Sequence, residues 1–248
     1  ISLKTKCYIS IKVSIIMKLY FCLILPLLLF SCIVNGENRP GFVCGQFNRN
    51  IIEVPSKYVF PFAEYEGYSY FDPRFVENKK GCEANFRILP MRMSWPDLKP
   101  FSEVSHDVRM IEVYVEPLNG DPEKYFSHKK NIYLNMGVIK RKGELYYDEE
   151  LELYFNEVFI ESKHINGNKV YVNIIKYGYY WDEDNGEVNV LMECSWRQLD
   201  DSYRRCKLLS LMPEFGLKYS VSFEFSNLVN WEAIQDKVRL FLSEYIKN

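Results

Sequence analysis

The second half of the chain alternates apolar and polar residues with a period of two, and Asn-Gly pairs interrupt the alternation. Lys169 to Tyr180 sets Val170, Val172 and Ile174 on one face, and Glu187 to Trp196 does the same with Val188, Val190 and Met192. Lys218 to Phe225 sets Tyr219, Val221, Phe223 and Phe225 against Ser220, Ser222 and Glu224. Period two is the spacing of a strand with one buried face. His164-Ile165-Asn166-Gly167 and Asp184-Asn185-Gly186 are expected to turn the chain, because Asn-Gly suits the positive φ angles of a type I′ hairpin. With Leu151–Ser162 and residues 204–212 as further strands, the segment predicts an antiparallel meander.

The period then changes. Leu228, Trp231, Ile234, Val238, Phe241, Leu242 and Tyr245 recur at three- and four-residue spacing, the mark of an amphipathic helix that Ser226 or Asn227 can cap. Such a helix covers one face of the sheet before it. Shorter strands are expected earlier: Asn50–Val54, stopped by Pro55; Cys82–Met93, interrupted at Pro90; and Val108–Val115. Trp95-Pro96-Asp97-Leu98-Lys99-Pro100 is expected as a turn, since its prolines cannot serve a helix or a strand ladder. Residues 117–130 read as a charged loop. The fold class is α+β: mainly antiparallel meander sheets packed by a C-terminal helix. It occupies residues 44–248 as one domain, or as two lobes at 44–117 and 131–248.

Upstream lies an export signal. Met17-Lys18 precedes an apolar run of about a dozen residues, followed by small residues, and the run is too short to favour a membrane-spanning helix. Residues 1–16 carry three lysines and no acid, and read as translated upstream sequence or a long basic start to the signal. Residues 33–43 read as a polar tether. Two cleavage patterns compete. Leu29-Phe30-Ser31-Cys32 resembles a lipobox, in which Cys32 is lipidated and anchors the chain to a membrane; Phe30 departs from the usual small residue. Alternatively, Val34 and Gly36 supply small positions for a cut after Gly36.

Four of the 31 basic residues and none of the 33 acidic ones leave with the signal, so the remaining chain is acidic, at −6. No basic stripe recommends nucleic acid as a partner. Aromatics make up 16% of the chain, and their placement in strand-like runs is explained by large buried sheet faces. Cys7 and Cys22 fall in the leader. With Cys32 lipidated, Cys44, Cys82, Cys194 and Cys206 remain, an even number that in an oxidising compartment predicts two disulfides. Three connectivities exist. Cys44–Cys82 and Cys194–Cys206 are preferred because each pair brackets a local segment, the second with a hairpin tip at Asp200-Asp201-Ser202. The spacings fit no zinc pattern, and no metal or cofactor is expected.

Catalytic motifs are missing: there is no G-x-S-x-G, no H-E-x-x-H and no phosphate-binding glycine loop. Ser127-His128-Lys129-Lys130 has S-x-x-K spacing without its companion motifs, and His106-Asp107 reads as a surface turn. Asp182 to Glu187 superficially suggests a calcium loop, but Gly186 is fifth rather than sixth in the run, so a hairpin tip is the better reading. The acidic run of Glu144, Asp148, Glu149, Glu150 and Glu152 is a solvated face or a docking patch for a basic partner. Trp231 reads as core. Trp95, between prolines on a turn, is either a core anchor or an exposed recognition anchor.

Three phrases together resemble a family of uncharacterised exported proteins and lipoproteins of Gram-negative bacteria. They are Ile52-Glu53-Val54-Pro55-Ser56-Lys57-Tyr58, similar to I-P-x-x-Y; Met93 to Pro100, similar to W-P-D-L-x-P; and Leu228 to Val238, similar to L-x-x-W-x-x-I-x-x-x-V. The resemblance implies a cell-envelope location and carries no catalytic residues. Proteins of that sort include immunity partners of antibacterial effectors. The expected function is therefore a periplasmic or outer-membrane binding protein, anchored at Cys32, that neutralises an effector by occlusion. One alternative is an envelope hydrolase using His106, His128 or His164 beside a carboxylate or hydroxyl. Another is a secreted eukaryotic protein, such as a saliva or venom component.

Overall fold

In the computed structural model, residues 38–105, 109–135, 139–166 and 169–247 are described. The signal at 17–32, Cys32, the 1–16 segment and His106-Asp107 lie outside them. The elements in chain order are β1 (Phe42–Phe47), β2 (Asn50–Pro55), β3 (Glu64–Tyr65), β4 (Phe86–Ser94), β5 (Met110–Pro117) and α1 (Pro122–Asn135). Then come β6 (Ile139–Lys142), β7 (Tyr146–Asp148), β8 (Leu153–Asn166), β9 (Lys169–Asp184), β10 (Glu187–Arg197), β11 (Ser202–Met212) and β12 (Leu217–Glu224). α2 (Trp231–Tyr245) and β13 (Ile246–Lys247) end the described chain.

The alternating segments form the meander. β8, β9, β10, β11 and β12 pair in sequence order, all antiparallel. β5 pairs along the free side of β12, and β4 and β3 follow it, so strands from both halves of the chain share one ten-stranded sheet. β6 and β7 both line the outer side of β8. A second sheet, β1-β2-β13, is small. Residues 38–248 form one compact unit, in which β5 of one expected lobe is bonded to β12 of the other.

Pro90 does not interrupt β4, which runs through it. Its carbonyl accepts from Phe60 N at 3.1 Å on the side away from β5. The missing amide proton therefore faces the irregular edge and leaves the β4–β5 ladder whole.

Each face of the large sheet has its own cover. On the front, Ile111, Val113, Val115, Tyr219, Val221 and Phe223 bury under α2 and the small sheet. α2 contributes Ile234, Val238 and Leu242, all 0% exposed, as the helical spacing predicts. Trp231 Nε1 donates to Leu151 O at 3.1 Å, and the Tyr219 hydroxyl donates to Gln235 O at 3.1 Å. The expected caps are not used: no side chain caps α2 at Asn230, and Asn227 is buried against Arg109 instead.

The back is covered by α1, where a charged loop was expected. Pro122 opens the helix and Asp121 Oδ1 accepts from Glu123 N at 3.1 Å, satisfying one orphan donor of the first turn. Phe126 packs on Val158, Tyr179, Trp181, Leu191 and Leu209, and the Tyr133 ring stacks on Tyr179 at 4.8 Å. Lys130, the lysine of the S-x-x-K run, pairs with Glu183 and lies over the Trp181 ring.

Two further details depart from the sequence expectations. The register shifts between Val188 and Val190, placing an extra residue at Asn189. Val188 therefore turns to the back cluster while Val190 and Met192 stay in front. In addition, β8 runs through the expected His164–Gly167 turn as far as Asn166, which pairs with Lys169. The disulfides are Cys44–Cys82 and Cys194–Cys206, with Cα separations of 4.7 and 4.0 Å. Part of the expected tether is built in: β1 begins at Phe42, and Asn38 Oδ1 accepts from Cys44 N at 2.8 Å. Among the described residues, no helix is long and apolar enough to cross a membrane.

Candidate functional site: two charged ends of one sheet

The acidic residues collect at one end of the β8–β10 strands. The turn after β7 is fixed by Asp148, whose Oδ1 accepts from the amides of Glu150 and Leu151, each at 3.1 Å. Asp148 is thus partly spent on the turn, while Glu149 and Glu150 are exposed. β7 pairs with the start of β8, and Tyr154 of β8 pairs with Trp181 near the end of β9. The β9–β10 turn therefore arrives at the same end. Its Asn185 and Gly186 have φ of 50° and 85°, the left-handed conformation that Asn-Gly was expected to supply. Tyr147, 49% exposed, senses both turns: partial desolvation raises its hydroxyl pKa, and Glu152, Asp182 and Glu149 raise it further. The two acidic runs, separate in sequence, make one patch. Glu183 differs from its neighbours, being held inward by Lys130 and by Trp181 Nε1 at 3.0 Å.

Trp95 is not part of that patch. It lies in the front core at 9% exposure, with Lys237 Nζ 5.3 Å from its ring centre. His128 is exposed on α1. His164 belongs to β8, but its side chain is outside the described part, as are the surroundings of His106. The bonded sulfurs of Cys44 and Cys82 lie near Glu53, yet a disulfide offers no thiolate to a metal, and Glu53 is paired with Arg39 and Lys247.

The opposite end of β10 carries the β10–β11 turn and two hollows. The first, of about 650 Å³, lies between β8, β9 and that turn, with Glu157, Phe159, Ile174, Lys176 and Trp196 in its wall. Glu157 accepts from the Tyr203 hydroxyl at 2.7 Å and pairs with Lys176 at 2.9 Å. Burial alone would raise its carboxyl pKa, but these hydrogen bonds and the Lys176 and Arg141 charges outweigh burial and hold it below the usual range. Lys176 Nζ also sits 5.2 Å from the Trp196 and Tyr203 ring centres. β9 continues past its last β10 partner, Tyr177, with β8 alone as its neighbour, which leaves Ile174 59% exposed.

The second hollow, of about 710 Å³, is walled by Arg92, Arg109, Arg197, Arg204 and Arg205. It forms where the end of β12 meets the starts of β5 and β11. No sequence signal indicated it, because its arginines come from three strands and a loop.

The fold has a counterpart among solved structures. An immunity protein of the type IV secretion system of Stenotrophomonas maltophilia superimposes with a TM-score of 0.53, covering 84% of this chain and 94% of that one at 11% identity. The two chains share an architecture. No protein-family model matches this sequence, and no curated protein matches it.

Proposed function

We propose that this chain is an immunity-type binding protein of the cell envelope, exported, tethered to a membrane through Cys32, and occupied with holding an antibacterial effector in an inactive complex. The observation that carries the reading is the fold shared with a secretion-system immunity protein over most of both chains. Two disulfides support it, since such bonds persist in oxidising compartments outside the cytoplasm.

The physical role is occlusion by a rigid surface. A sheet covered on both faces and braced by two disulfides loses little freedom on binding, so little of the interaction energy is spent on ordering it. The acidic end, with Glu149, Glu150, Glu152, Asp182 and Asp184, is the proposed docking surface for a basic face of the effector. Like charges gathered in this way attract an oppositely charged partner and raise its rate of encounter.

The test is bacterial growth under an antibacterial effector exported to the periplasm, the products of the genes adjoining this chain's own being screened for one. Co-expression of the full chain is expected to restore growth. Removal of residues 1–37 is expected to abolish protection while the protein accumulates in the cytosol, and Cys32→Ala to abolish labelling by radioactive palmitate. Growth arrest that persists with the full chain exported and folded would sink the proposal.

A further inference from the structure

We propose that the five-arginine hollow is a second contact site, which receives a carboxylate-bearing segment of the partner protein. The inference deepens the immunity-type reading and rests on it for the partner being a protein.

Donors exceed acceptors in this hollow. Glu112 serves both Arg205, at 3.0 Å, and Arg92, at 4.0 Å. Asp200 serves both Arg197, at 3.1 Å, and Arg204, at 2.5 Å. Glu224 stands in the wall itself; counted with Glu112 and Asp200, which pair with the arginines, three carboxylates meet five guanidinium groups, leaving two positive charges in excess within an otherwise acidic protein. A concave, partly desolvated wall concentrates that field.

The hydrogen bonds show the same deficit. Arg92 Nε is buried without an acceptor among the described residues. Arg109 donates Nη1 to Asn227 Oδ1 at 2.9 Å, which fixes the orientation of that amide. The opposite Asn227 atom, Nδ2, is likewise a buried donor without an acceptor, on a residue 1% exposed. Both donors are closed off from solvent, so it is the excess charge of the exposed guanidinium groups that calls for negatively charged oxygen atoms.

The pairing geometry of the hollow favours carboxylates. Arg197 meets Asp200 with Nε on Oδ1 at 3.1 Å and Nη2 on Oδ2 at 3.2 Å, the planar two-bond fork of guanidinium and carboxylate. Arg197, Arg204 and Arg205 are each about half exposed, so their remaining donors are open to a partner's Asp or Glu side chains.

The probe is a decaglutamate peptide titrated into the full exported protein and into the double variant Arg197→Gln/Arg204→Gln. Decalysine, inorganic phosphate and vesicles of phosphatidylcholine with phosphatidylglycerol are run beside it. The expected result is saturable decaglutamate binding, weakened by added salt and weakened about tenfold or more in the variant, whose thermal unfolding is unchanged. Equal binding by the variant, no decaglutamate binding, or a stronger response to phosphate or to vesicles would each overturn the assignment. The outcome separates from the broader reading: an effector that binds while decaglutamate does not removes only this site. Decaglutamate binding without effector binding removes the immunity-type reading.

Discussion

Glu193 lies beneath α1 between Tyr179 and Lys207, and burial raises its carboxyl above the ordinary glutamate range; Lys207, Tyr179 and Lys129 offset only part of that. A raised carboxyl pKa means that the folded state resists ionisation. The resulting penalty is absent below the unfolded-state pKa, grows as pH rises between the unfolded and folded values, and is complete above both. Glu193→Gln is therefore expected to raise the melting temperature at pH 7 by about 2 °C and to change it little at a pH below the ordinary glutamate range. An equal gain at both pH values would assign the effect to packing instead. Gly45 makes a different demand. A Cβ there would come within 2.4 Å of the Phe86 ring, which is 1% exposed and held between Tyr65 at 4.8 Å and Phe47 at 5.4 Å. With no room for the ring to retreat, Gly45→Ala is expected to cost about 1–3 kcal/mol in denaturant unfolding.

The elements differ in how visible they were in the sequence. β12 and α2 announce themselves because the apolar residues of each lie on a single face, so apolar spacing records the geometry directly. α1 does not, because Tyr125, Phe126, Tyr133 and Leu134 are diluted among lysines and polar residues, and the helix packs as much through aromatic stacking and Lys130 as through an apolar stripe. The bulge at Asn189 was hidden for another reason: an unbroken Val188, Val190, Met192 alternation conceals a change of face. The disulfides were legible from local bracketing, and they tie different elements. Cys194–Cys206 joins adjacent strands across 12 residues, whereas Cys44–Cys82 ties β1 to the approach to β4 across 38. Loop closure then ranks them. Replacing both cysteines of the longer loop by Ala is expected to cost about 4 kcal/mol, and of the shorter about 3 kcal/mol, each measured against the intact protein. A reversed order would show that strain or residual structure dominates chain entropy.

At the scale of the molecule, charge is separated along the strands. β10 has 11 residues, so the acidic β9–β10 turn and the β10–β11 turn, which Arg197 and Arg204 flank, stand about 35 Å apart at ordinary strand rise. The acidic run at 144–152 could be read from sequence as a patch, but its union with 182–187 depends on β7, β8 and β9 pairing in register, and the arginine hollow depends on β4, β5, β10, β11 and β12 converging. Pairing of this range has no local signature. Both ends remain free because α1 and α2 cover the faces of the sheet and leave its ends open. The measurement that bears most directly on this picture is calorimetric titration of the purified exported protein with the effector whose toxicity it relieves, in wild type and in Glu149→Lys/Glu150→Lys. A binding protein of the immunity type gives a saturable one-to-one heat with affinity of about nanomolar order, weakened in the variant. No heat from a folded, disulfide-intact protein, or identical binding by the charge-reversed variant, would contradict respectively the effector complex or its seat at the acidic end.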